Sequence, residues 1–142
     1  MTDESGHDRE LVRTASCACG AVRVIARGAP ALVNACSCLD CQKRSGSSFT
    51  YTAFFPNDTI EINGEMRTYR EVRAAGRWHE TSFCVACGVP IISRLEVFPA
   101  LTGIAVGCFS DPDFDPPGGF YWAARRHRWI SAPSGVRVLD QQ

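Results

Sequence analysis

The chain has 142 residues, 45% of them hydrophobic, with 15 basic and 15 acidic side chains and a formal net charge of zero. That length suits a single domain with a core of its own. Charge balance removes the overall positive field that draws proteins to nucleic acid or anionic membranes, and no stretch is apolar for long enough to span a bilayer.

Residues 1–13 read as a disordered lead-in rich in Asp, Glu, Ser and Gly, with His7 a solvated tail residue rather than a ligand. No apolar signal-peptide core stands there, which points to the cytoplasm. In a reducing compartment, eight cysteines read as metal ligands before they read as disulfides. A single zinc-binding β domain is expected over residues 14–140. It opens on Cys17-Ala18-Cys19-Gly20, where Gly20 lets the backbone turn tightly around a metal.

Residues 21–27 alternate as a strand, and 31–35 form a second short apolar run that delivers the chain to Cys36. Cys36-Ser37-Cys38-Leu39-Asp40-Cys41 then places three thiols within six residues. The polar stretch 42–48 reads as a turn. Residues 49–55 are aromatic and β-branched, as a buried strand is. A short alternating strand at 59–62 leads to Asn63-Gly64, the strongest hairpin signal in the sequence. Residues 65–73 and 77–83 read as strands, the second ending in Cys84-Val85-Ala86-Cys87-Gly88. Strands follow at 89–93 and 100–109. Residues 111–119 form a loop, and 120–130 mix aromatics with Arg125, Arg126, His127 and Arg128. Many short strands, frequent Gly and Pro, and no clear amphipathic helix predict an all-β fold.

The two outer cysteine pairs sum to four thiols, the number a closed structural zinc site uses; the central trio supplies three, the number of an open catalytic site. A link from Cys19 to Cys84 closes about 65 residues of chain, so a metal there would restrain the unfolded state strongly. Three thiolates carry more negative charge than a zinc ion cancels, and Lys43, Arg44, Ser45 and the backbone near Gly46 are the nearby donors. Cys108, His79 and His127 are the possible fourth ligands of a closed alternative. Cys108 reads more simply as a buried hydrophobe in its strand, and His79 as a surface residue. The 125–128 run could grip carboxylates or be a solvated basic face. Asp111, Asp113 and Asp115 lack the Gly and Glu of a calcium loop, and Asn57-Asp58-Thr59 reads as a turn.

Taken together, Cys17-x-Cys19-Gly20, then Cys36-x-Cys38-x-x-Cys41-x-Lys43 with Ser45-Gly46 behind it, then Phe83-Cys84-x-x-Cys87-Gly88, resembles the glutathione-dependent formaldehyde-activating enzyme family, which also contains centromere protein V. The resemblance runs from about Cys17 to Trp129. It implies a β-tent fold of small antiparallel sheets clamped by zinc. It implies two zinc ions, a structural one on Cys17, Cys19, Cys84 and Cys87 and a catalytic one on Cys36, Cys38 and Cys41. It also implies a carbon–sulfur lyase-type reaction, S-hydroxymethylglutathione formation from glutathione and formaldehyde or chemistry on a related thiol–carbonyl adduct, with Lys43 and Arg44 placing glutathione carboxylates. Ser37 stands where members commonly carry His, and Phe120-Tyr121 where many carry a His-Ile-type strand start. The alternative is a non-catalytic zinc module for a protein or nucleic-acid partner. Zero net charge and the absence of a basic run outside 125–128 argue against nucleic acid.

Overall fold

The computed structural model describes residues 11–73 and 75–141. His7 and most of the lead-in assigned to residues 1–13 therefore lie outside the described residues. The first strand, β1 (Val12–Ser16), already includes the last two positions of that stretch.

Two sheets make up the fold. β1, β2 (Arg23–Arg27) and β5 (Ile60–Asn63) form a three-stranded antiparallel sheet. The second sheet has eight strands. Its centre is β3 (Leu32–Cys36), β4 (Thr50–Pro56), β9 (Leu101–Ala105) and β8 (Pro90–Leu95), joined antiparallel. β7 (Trp78–Cys84) and β6 (Met66–Val72) extend it to one edge. At the other edge β10 (Gly119–Tyr121) and β11 (Arg137–Val138) add parallel pairs, β10 lying alongside β3.

The main core forms where inward positions of the two sheets meet. Ala15, Val24 and Ala26 come from the small sheet, and Ala53, Phe55, Ile91, Ile92 and Ile104 from the large one. Their alternation with exposed neighbours, as in Arg23-Val24-Ile25-Ala26-Arg27, is the period-two pattern of a half-buried strand. Phe109 stacks on Phe114 with ring centroids 5.0 Å apart and extends this core. A smaller cluster, Ala35, Phe120, Ala123 and Ile130, seats the C-terminal segment on β3.

The all-β expectation holds, with three local corrections. The polar stretch after the trio is a helix, α1 (Leu39–Ser45), capped by Cys38 and closed by Gly46 at φ 63. Its seven residues are too few for an amphipathic period to register in the sequence. Asn63-Gly64 does not join a hairpin, because β5 pairs with β2 while β6 pairs with β7. Gly64 instead carries the chain from one sheet to the other at φ 115, with its Hα side so near the Ala21 carbonyl that a Cβ would stand 2.3 Å from the oxygen. The strand expected over 100–109 stops at Ala105. Val106–Phe109 is a 3-10 turn, so Cys108 is half-buried in a turn rather than a strand.

Candidate metal centres and the cleft between them

Each cysteine group of the sequence converges in space. Cys17 and Cys19 follow β1, Cys84 ends β7, and Cys87 lies in the turn into β8, so this cluster joins the small sheet to the large one. The four Sγ atoms lie within 4.8 Å of one another. Cys17 and Cys19 Sγ are 3.6 Å apart, and Cys19 and Cys84 Sγ 3.7 Å. Four sulfurs about 2.3 Å from a tetrahedral zinc would be about 3.8 Å apart, so the donor set fits that ion. Backbone amides are aimed at the sulfurs: Val22 N donates to Cys17 Sγ at 3.2 Å, and Ala86 N to Cys84 Sγ at 3.3 Å. The Val22 amide holds Cys17 below its ordinary thiol pKa, and the Val89 amide leads the groups that lower Cys87 to about 6. Both effects favour the thiolate that a metal needs.

The trio is built by a strand end and a helix start. Cys36 is the last residue of β3, Cys38 caps α1, and Cys41 is buried in its first turn. Their Sγ atoms also lie within 4.8 Å of one another, and this cluster could hold a metal ion as the first could. Cys41 N donates to Cys38 Sγ at 3.3 Å. Two guanidiniums face the sulfurs: Arg44 Nη2 is 3.1 Å from Cys41 Sγ, and Arg73 Nη1 is 3.8 Å from Cys38 Sγ. Hydrogen bonds from the Cys36 and Cys38 thiols, then the Arg44 charge, pull Cys41 far below the usual thiol range. The same neighbours, Cys38 before Cys41, with burial, push Cys36 far above it. The three thiols thus concentrate their negative charge on Cys41, beside Arg44.

Glu71 ties the two arginines together, 3.6 Å from Arg44 and 3.0 Å from Arg73. Arg44 Nη1 also donates to Thr81 Oγ1 at 3.3 Å. Behind this network lies His79, which is 8% exposed and so is buried rather than at the surface as its charged neighbours in sequence suggested. Its Nε2 has no hydrogen-bond partner among the described residues. Burial first, and then the charges of Arg44 and Arg73, lower its pKa to about 3. Strand register places it there: β6 and β7 pair Glu71 with His79 and Tyr69 with Thr81. Glu71 and Arg73 carry no signal in the sequence until that pairing is known.

A cleft of about 530 Å³ opens between the helix that bears Cys41 and the turn that bears Cys87. Asp40, Lys43 and Arg44 of α1 line one side, and Tyr69, Glu71, Thr81 and Phe83 of the β6–β7 pair line another. Lys43 is exposed, whereas Arg44 is committed to the sulfur and to Thr81. Ser37 is fully buried and donates to the Ser48 carbonyl at 3.2 Å. Gln42 holds α1 in place by donating to the carbonyls of Ser37 and Arg125.

Other candidates stand apart. His127 and Cys108 are not grouped with the trio among the described residues. Burial raises the Cys108 pKa, assisted by Cys17 and Cys87, which places it near the outer cluster instead. Arg126 is spent on the Ala123 and Ile130 carbonyls, and none of residues 125–128 lines the cleft. Asp111 accepts a hydrogen bond from the Asp113 amide in an exposed loop, as a turn does.

No helix among the described residues is long and apolar enough to cross a membrane. No curated protein matches the chain in sequence. Among solved structures, a crystal structure of a Rhodobacter sphaeroides protein, a structural-genomics target, is similar at a TM-score of 0.52 and 19% identity, covering 72% of this chain and 91% of that one. At that identity the likeness speaks for the fold alone. The sequence model of the glutathione-dependent formaldehyde-activating enzymes matches residues 12–125, which takes in both cysteine clusters and the strands that carry them. On that match the chain belongs to the glutathione-dependent formaldehyde-activating enzyme family.

Proposed function

We propose that this chain is a zinc-dependent carbon–sulfur lyase-type enzyme that acts on a thiol–carbonyl adduct, with glutathione and formaldehyde joined as S-hydroxymethylglutathione. The observation that carries the proposal is the trio: three thiols within 4.8 Å, flanked by two guanidiniums, one of which also lines a cleft. Cys17, Cys19, Cys84 and Cys87 would hold a structural zinc. Cys36, Cys38 and Cys41 would hold the catalytic one. Bound at the trio, zinc would supply Lewis acidity and lower the pKa of the group placed against it.

In the forward reaction the thiol sulfur bonds to the carbonyl carbon. The π pair of the carbonyl moves to oxygen, which takes up the proton that the thiol gives up. The reverse reaction breaks the same carbon–sulfur bond. The residues around the site contribute placement and charge. Arg44 and Arg73 offset the negative charge of the thiolates, and Lys43, exposed at the cleft, is available to pair with a glutathione carboxylate. Holding two reactants together replaces a bimolecular encounter, a large part of what this addition needs. The cytoplasm, with its abundant reduced thiol, is the proposed compartment.

The test is the rate of adduct formation and breakdown at equilibrium, followed by NMR exchange between free and bound formaldehyde. The wild type is expected to exceed the uncatalysed rate, and Cys38→Ala to return to it while remaining folded. A zinc-loaded wild type no faster than buffer would overturn the assignment.

A further inference from the structure

Lys43 and Arg44 account for the charge at the cleft but leave its apolar wall without a role. Tyr69 is 62% exposed on β6, and Phe83 is half-buried on β7. Both line the cleft, together with Pro90, and none of the three belongs to a packed core cluster. They lie on the sheet face that α1 covers, since Arg44 of that helix bonds Thr81 between them.

The charges around these rings largely cancel. Arg44 is committed to Cys41 Sγ, Thr81 and Glu71, and Glu71 is gripped in turn by Arg73. That leaves Lys43 and Asp40, one of each sign on the same helix, without partners among the described residues. A thiol with carboxylates at both ends would find one uncommitted cation here. The volume, about 530 Å³, falls within the range of roughly 300–1,000 Å³ typical of small-molecule sites.

We infer that this cleft binds an aromatic ring carried by the adduct, so that an adduct with such a substituent is preferred over the bare formaldehyde one. The inference rests on the proposed function, because it takes the trio as the reacting centre. Arg44 links the two: it lines the cleft, and its guanidinium contacts Thr81 Oγ1 at 3.3 Å and Cys41 Sγ at 3.1 Å, so one side chain stands between the cleft and the sulfurs. Removing such a ring from water supplies the preference without any further hydrogen bond.

Two unreactive thioethers separate the alternatives: S-benzylglutathione and S-methylglutathione, titrated calorimetrically into the zinc-loaded full chain. The benzyl compound is expected to bind tighter by about tenfold or more. Tyr69→Ala, at a position 62% exposed and checked by its melting curve, is expected to cut that ratio several-fold. Phe83→Ala, checked by its melting curve, is expected to remove it. Equal affinities for the two thioethers would overturn this inference and leave the proposed function standing. Binding of neither would overturn both, and a benzyl preference that persisted in both variants would place the apolar site elsewhere and overturn the inference alone.

Discussion

Arg44 Nη2 donates to Cys41 Sγ across 3.1 Å, from one turn further along the same short helix. The pairing needs α1 to be a helix: residues three apart share a face in a helix and do not in an extended loop. The cationic partner of the trio is thus produced by the same local fold that buries Cys41.

Replacing Arg44 tests what that charge does. Arg44→Met keeps the stem and removes the guanidinium. Groups that orient and balance metal ligands typically contribute about tenfold to a hundredfold in affinity or activity. Chelator competition should show the zinc proposed at the trio released at correspondingly lower chelator concentration, with the outer cluster unaffected. Arg44→Lys should restore little of this, because a lysine cannot contact Cys41 Sγ, Thr81 and Glu71 together. Unchanged zinc retention in Arg44→Met would contradict the role given to it.

The outer cluster should respond differently. Cys87→Ala removes one of four donors that join β1 to the end of β7, and the structural zinc proposed there would contribute on the order of the roughly 10–16 kcal/mol found for small zinc domains. The variant is expected to lose cooperative unfolding by circular dichroism. A folded Cys87→Ala chain with a melting temperature near that of the wild type would show that the cluster is dispensable.

His79 gives a pH signature. Its folded pKa, about 3, lies below the unfolded value of about 6.5, so the unfolded chain binds the proton more readily. Its contribution to stability is complete above about pH 6.5 and is lost as pH falls toward the folded value. At pH 5.5 the loss is about 1.4 kcal/mol. Urea unfolding at pH 7.5 and 5.5, with zinc held constant, should show a steeper fall for the wild type than for His79→Gln by about that amount. Equal falls would mean that the imidazole is not held neutral in the fold.

The link between the two sheets makes a stability prediction with its own control. Gly64→Ala would force a Cβ to within 2.3 Å of the Ala21 carbonyl oxygen at φ 115. Strain and overpacking together should cost on the order of 2–4 kcal/mol. Gly107→Ala, where nothing lies within 4 Å of a Cβ, should change stability by less than about 0.5 kcal/mol. Equal effects at the two sites in denaturant unfolding would contradict the close approach.

What was legible in the sequence, and what was not, follows from the range of the interactions. The cysteine spacing announced the trio, because thiols within six residues of one another are near in any fold, and it announced each half of the outer cluster, whose C-x-C and C-x-x-C pairs lie about 65 residues apart and meet only through the fold. The strands were legible wherever apolar and polar residues alternate, as in β2 and β5. The helix was hidden because its cap is a cysteine and its length is two turns. The Asn63-Gly64 dipeptide carried a local turn preference but no information about which sheet would receive the next strand. Arg73, Glu71 and His79 meet the trio through the pairing of β6 with β7 and the placement of α1 above them. Those are tertiary facts, and no residue type or spacing announces them.

The central claim is that the trio is an open zinc site distinct from a closed structural one. Zinc per chain, measured on wild type and Cys38→Ala purified without added metal, before and after glutathione, tests it most directly. Two zinc ions are expected in the wild type, one of them perturbed by glutathione, and one in a folded Cys38→Ala. A single zinc in both proteins, tightly held and indifferent to glutathione, would contradict the claim and favour a non-catalytic zinc module.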